Sequence, residues 1–219
     1  MVVPIFNTHY SVHKFDRINE FGPGTSFKDT VDRYLNHTLF NRGSLEQQGN
    51  AITTVKQATE YPLVQGLDLA RNDLGKWILE TKSQAARELK VPVKDPNWFT
   101  THRAWANRLF TGASSKTHHH GGAGSHMVAV FYYEAPKDSG DLIFINAEET
   151  NEELVRRPID SYAPEQICRV TPEPGMLICH SPWIPHAVAE HKAADYRTSF
   201  IFEFTFMDMP IYTLTRPTF

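Results

Sequence analysis

The 219-residue sequence predicts an α+β protein, a jelly-roll β core behind a mostly helical N-terminal part. Three observations predict it. Helical spacing dominates before residue 97, about eight short β-type runs follow it, and the histidines gather among those runs. The chain is accordingly divided into a helical elaboration over 1–97, packed on the core, and the β core over 98–219.

In the N-terminal part, residues 26–40 set Phe27, Val31, Tyr34, Leu35 and Leu39 on roughly one helical face. The segment 64–89 does the same with Leu67, Ala70, Leu74, Trp77, Ile78, Ala85 and Leu89, and is expected to form one helix that Gly66 and Gly75 weaken slightly. Val91-Pro92-Val93 and Asp95-Pro96 close the helical part. The polar stretch 41–62 carries no periodicity that decides it. Expected strands are 98–110, 116–120, 127–134, 141–146, 166–171, 175–180, 186–190 and 196–206, with turns at Lys137-Asp138-Ser139-Gly140 and Pro172-Glu173-Pro174-Gly175. Residues 147–165 form a long polar interruption of the kind that often faces substrate.

Composition excludes more than it identifies. With 22 basic and 25 acidic residues the net charge is −3, and no basic stripe points to nucleic acid. Cys168 and Cys179 do not make a disulfide framework and read as buried small hydrophobes. The opening MVVPIFNTHYSVHKFD lacks the features of a signal peptide, and no apolar run is long enough for a membrane span, so a cytoplasmic location is the expectation. Helical faces between residues 26 and 90 could serve a homodimer.

Chemistry gathers in three places. In an extended strand, His118 and His120 of Lys116-Thr117-His118-His119-His120 project to one face and His119 to the other. Two imidazoles on one face begin a site for iron, copper, zinc or nickel; a polar surface turn before Gly121-Gly122 is the bland alternative. The second place is Ser181-Pro182-Trp183-Ile184-Pro185-His186, whose prolines restrict the backbone and aim His186, with His180 its nearest competitor. The third is Arg197-Thr198-Ser199, opening a strand rich in phenylalanine. If Arg197 points inward it needs an anion, and Ser199 on the same face adds a hydroxyl suited to a carboxylate; the alternative is a surface pair with Asp195 or Glu203.

Taken together, Trp105-Ala106-Asn107, Gly112, His118-x-His120, Val130-Phe131-Tyr132-Tyr133, Pro136, Ser139-Gly140, Leu142-Ile143-Phe144, Pro174-Gly175, Ser181 to His186 and Arg197-x-Ser199 resemble the 2-oxoglutarate and Fe(II)-dependent oxygenase superfamily. More narrowly, the chain resembles small oxygenases of marine bacteria and their phages with an HxH in place of an HxD motif, over roughly residues 98–206. The resemblance implies a double-stranded β-helix, the cupin-like jelly roll. It implies Fe(II) held by His118, His120 and His186, and 2-oxoglutarate as cosubstrate held by Arg197 and Ser199, with Asn107 a further candidate. It also implies consumption of O2 and, as the usual outcome, hydroxylation of a small-molecule or peptide substrate that no segment identifies.

Two departures from the family pattern bear on that expectation. A histidine where a carboxylate usually stands removes one negative charge from the ligand set and approaches the three-histidine centres of cupin dioxygenases or isomerases, which use no 2-oxoglutarate. The glycine-rich loop after His120 and the corner before His186 are a residue or two longer than the family pattern, which leaves His119 or His126 open as the third ligand. A two-histidine, halogenase-like site is a further alternative.

Overall fold

The computed structural model describes residues 1–6, 8–36, 47–57, 63–91, 99–146 and 159–206. Among these residues, twelve strands form two antiparallel sheets, in the manner of a jelly roll. In chain order they are β1 (Val2–Ile5), β2 (Thr8–Lys14), β3 (Gln47–Gln48), β4 (Ala51–Thr53), β5 (Phe99–Leu109), β6 (Ser114–His118), β7 (Met127–Glu134), β8 (Leu142–Ile145), β9 (Ile167–Val170), β10 (Met176–His180), β11 (His186–Val188) and β12 (Arg197–Phe206). The larger sheet runs β1-β2-β10-β7-β12-β5-β4 and the smaller β3-β6-β11-β8-β9.

All eight expected strands are present. The N-terminal part contributes more than helices: β1 and β2 extend the large sheet beyond β10, and β4 pairs with β5 at the opposite edge. These strands are short or alternate apolar and polar residues without a marked run, so their pairing partners, far along the chain, decide them.

Both faces of the large sheet are buried, which is why β7 reads as the nearly unbroken apolar run MVAVFYY. On one face Met127, Ala129, Phe131, Phe200, Phe202 and Phe204 pack beneath the helices α1 (Ser26–Asn36), α2 (Leu63–Gly66) and α3 (Asp73–Glu88). On the other, Val128, Val130, Tyr132, Ile201 and Trp105 meet Leu142 and Phe144 of the smaller sheet. The two-residue alternation of β12 therefore sends Phe200, Phe202 and Phe204 to the helices and Arg197, Ser199, Ile201 and Glu203 into the barrel.

The single helix expected over 64–89 is instead two. Asp68 adopts a left-handed conformation (φ 49°) and Asn72 caps a new helix, its Oδ1 accepting from Gly75 N at 2.8 Å. Leu67, Leu69 and Leu74 remain buried through the break, so the apolar spacing survives while the backbone turns. The end of the first expected helix, 37–40, and most of the long polar interruption, 147–158, lie outside the described residues. No helix among the described residues is long and apolar enough to cross a membrane.

Candidate metal centre

His118 ends β6 and His186 opens β11, and the two are direct partners across the ladder. Their rings lie 4.4 Å apart, and that of His120 is 5.3 Å from His118 and 5.2 Å from His186. One nitrogen of each ring lies within 4.8 Å of the others, a group able to hold a metal ion. The Pro182–Pro185 corner is clamped on both sides: His120 N donates to Pro182 O at 2.8 Å and Ile145 N to Pro185 O at 2.9 Å. Gly121 permits this closeness, since a Cβ there would sit 2.1 Å from Trp183 Cε3.

The chemistry of the partners assigns the tautomers. His118 Nδ1 faces Lys116 O at 2.8 Å, His186 Nδ1 faces Ile184 O at 3.0 Å, and His120 Nδ1 faces Glu203 Oε1 at 2.7 Å. Carbonyl and carboxylate oxygens only accept, so each Nδ1 carries the proton and each Nε2 keeps its lone pair for a metal. This is the outer arrangement that orients metal-binding histidines. Burial, reinforced by the neighbouring histidines, pushes the His186 pKa well below the usual imidazole value and favours its neutral form.

The other histidines fall elsewhere. His119 turns its ring toward Trp183, at 5.9 Å, and its Nδ1 accepts from Gly121 N. His126 bonds Thr205 Oγ1 through Nδ1 at 3.1 Å. His180 packs its ring 4.9 Å from His186 but stands behind it, with Nδ1 donating to Ser181 O.

A cavity of about 380 Å³ opens beside the three histidines, within the range of small-molecule sites. Arg197, Ser199, Asn107 and Tyr132 line it. Arg197 is 3% exposed, donates through Nη1 to Gly140 O at 2.8 Å, and makes no ion pair among the described residues. It thus pairs with neither Asp195 nor Glu203. Its Nε and the Tyr132 hydroxyl are buried with no hydrogen-bond partner among the described residues, and its guanidinium stands 5.0 Å from the Tyr132 ring centre. Asn107 Oδ1 accepts from Thr53 Oγ1 at 2.6 Å. A buried cation and unsatisfied polar atoms at one cavity wall fit a small carboxylate.

Residues 103–203 match the family model described as "Putative 2OG-Fe(II) oxygenase". That match indicates a 2-oxoglutarate/Fe(II)-dependent oxygenase. No curated protein matches this oxygenase in sequence. Among solved structures it is similar to EvdO2 from Micromonospora carbonacea var. aurantiaca complexed with 2-oxoglutarate, with a TM-score of 0.56, 11% identity and 96% of each chain covered. A Pseudomonas putida prolyl-4-hydroxylase aligns at TM-score 0.51 and 16% identity, over 91% of this chain and 93% of that one. HygX from Streptomyces hygroscopicus, with nickel and 2-oxoglutarate bound, aligns at TM-score 0.57 and 10% identity, over 92% and 84%. At these identities the structural likenesses carry the double-stranded β-helix fold.

Sequence reasoning passed over two residues of the oxygenase cavity. Tyr132 entered only as part of the Val130-Phe131-Tyr132-Tyr133 run; it is fully buried, and it is among the residues that line the cavity. Glu203 appeared only as a conceivable partner of Arg197. It is completely buried, accepting from His120 and from Ser125 Oγ at 3.0 Å, with Arg103 Nη1 3.4 Å away. Burial would raise its carboxyl, but hydrogen bonding to His120, followed by the charges of His120 and Arg103 and the Ser125 bond, holds it below the usual carboxylate range. The signal was available: Glu203 lies six residues from Arg197 on an alternating strand, hence on the same face.

Proposed function

We propose that this Fe(II)/2-oxoglutarate oxygenase holds its iron on His118, His120 and His186 and its cosubstrate on Arg197, Ser199 and Asn107, and that it hydroxylates a small-molecule or peptide substrate. The observation that carries the assignment is Arg197, a buried guanidinium with no carboxylate partner among the described residues, on the wall of the cavity that the three histidines also line. Burying such a group unpaired costs several kcal/mol in folding, which a fold retains where a ligand supplies the missing anion.

When bound, Fe(II) and 2-oxoglutarate supply an O2-driven oxidation in which a substrate C–H becomes C–OH and 2-oxoglutarate becomes succinate and CO2. The chain's own residues prepare it. The three Nδ1–H bonds fix the imidazoles with Nε2 toward the cluster. The Arg197 fork orients a carboxylate, with Tyr132 and Ser199 beside it in the lining. Val130, Ile201, Leu142 and Val188 add apolar surface to the lining, which displaces water and strengthens the polar contacts beside it.

Anaerobic protein with Fe(II) is expected to develop a visible charge-transfer band on addition of 2-oxoglutarate. Arg197→Ala should weaken 2-oxoglutarate binding by roughly 30- to 700-fold, the equivalent of about 2–4 kcal/mol for a buried charge contact, with Fe(II) affinity unchanged. Thermal stability should hold, because no buried carboxylate is orphaned by the change. Absence of the band in the unaltered protein, with no succinate formed under air, would overturn the assignment.

A further inference from the structure

One carboxylate stands where the ligand set lacks one. Three neutral imidazoles leave the full charge of a divalent ion uncompensated, whereas two imidazoles and a carboxylate offset one unit. Glu203 is fully buried, and its shortest contact, 2.7 Å, runs to Nδ1 of His120, the residue in the customary carboxylate position. Its contacts to Arg103 are longer, 3.4 and 3.5 Å, and that guanidinium is partly exposed and leans over the Trp105 ring. Ser125 Oγ saturates the other carboxylate oxygen at 3.0 Å. The geometry thus fastens Glu203 to His120 before anything else. The alternation that aims Arg197 into the barrel aims Glu203 there too, so β12 brings a cation to the cavity at one end and an anion behind the histidine cluster at the other.

We infer that Glu203 is a positioning residue that supplies the missing ligand charge through His120, making His120 and Glu203 together the functional equivalent of the absent carboxylate. This rests on the assignment of His118, His120 and His186 as metal ligands. The hydrogen bond fixes the His120 tautomer and increases the electron density at Nε2, and the charge sits one residue back from the ion. The arrangement predicts a dependence that a purely structural ion pair does not have. If a carboxylate is placed directly at position 120, Glu203 changes from support to repulsion, because two anions then face each other in a buried space.

The test is a Co(II) titration in the presence of 2-oxoglutarate for the unaltered protein, Glu203→Gln, His120→Asp, the double variant and His186→Ala. Glutamine keeps the shape and the bond to Ser125, and a thermal melt of metal-free protein checks the fold. Glu203→Gln should weaken Co(II) binding 10- to 100-fold. In the His120→Asp background the same change should strengthen it. A second readout needs only the single variant: the Fe(II)–2-oxoglutarate charge-transfer band should move to shorter wavelength in Glu203→Gln, because a less electron-rich iron holds its electrons more tightly. An unchanged affinity and band in Glu203→Gln, or an effect of the same sign in both backgrounds, overturns the inference while His186→Ala still abolishes binding and the ligand assignment stands. Co(II) binding that survives His186→Ala overturns the ligand assignment, and this inference with it.

Discussion

At the scale of single residues, the centre is a set of histidines fixed in one tautomer, with a further histidine packed behind them. His118, His120 and His186 each give a proton to an acceptor through Nδ1. His180 is neutral because it is buried: desolvation lowers its pKa to about 3, assisted by the nearby His120 and His118 and opposed by the Ser181 carbonyl. The folded pKa lies below the unfolded value of about 6.5, so between these limits the unfolded chain binds a proton that the folded chain refuses. Stability is therefore lost as pH falls from about 6.5 toward 3, at up to about 1.4 kcal/mol per pH unit for such a group. His180→Phe, which fills similar volume and has no unsatisfied Nε2, should flatten this acid limb. Urea denaturation of chelator-treated protein at pH 7.5 and 5 reads it; equal losses in both proteins would refute the claim. His118 and His186 were legible because a strand end and a proline corner are local. His120 lies past the end of β6 and is placed by its N–H bond to Pro182 O rather than by the expected strand alternation. Glu203 was not singled out, because its meaning depends on His120, 83 positions away in the chain.

At the scale of elements, local pattern and tertiary context part company around α3. The spacing of Leu67, Leu74, Trp77 and Ile78 correctly marked an apolar face, but periodicity alone does not register a turn that keeps the same face buried. The left-handed Asp68 folds the chain back so that Leu69 O would lie 1.8 Å from a Cβ on Gly75. Gly75 read in sequence as a weakness in a helix, where alanine would gain about 1 kcal/mol. In the fold it is the one residue that lets α3 start against this turn, and alanine there must displace backbone rather than a flexible side chain. Gly75→Ala should therefore destabilise, by about 1–3 kcal/mol. A chemical denaturation midpoint above that of the parent would contradict it. The eight C-terminal strands were legible for the converse reason: glycine and proline turns cut them apart, and two-sided burial makes β7 and β10 plainly apolar.

At the scale of the whole molecule, the division at residue 97 separates sequence character more sharply than it separates packing. Arg108 of β5, nearly buried, binds Asp32 of α1, Glu134 of β7 and Thr198 of β12, while Lys28 of α1 reaches Asp32, Glu134 and Tyr196. This network ties the helical layer to the sheet that carries Arg197 and Glu203. Beneath the same layer, Phe131, Phe200, Phe202 and Phe204 are at most 1% exposed, and Trp77 and Lys82 of α3 lie against two of them. Uncovering four such rings forfeits about 6–12 kcal/mol at about 1.5–3 kcal/mol each, comparable to the entire stability of an ordinary domain at about 5–15 kcal/mol. Loss of β2 would also leave β10, which carries His180 to the edge of the proline corner, without its outer partner. We therefore propose that residues 1–97 are an elaboration the β core requires. A fragment of residues 98–219 produced alone should show no cooperative thermal transition and bind Co(II) at least 10-fold more weakly than the full chain. A sharp melt with full metal affinity in that fragment would show instead that the core folds and assembles its histidines unaided.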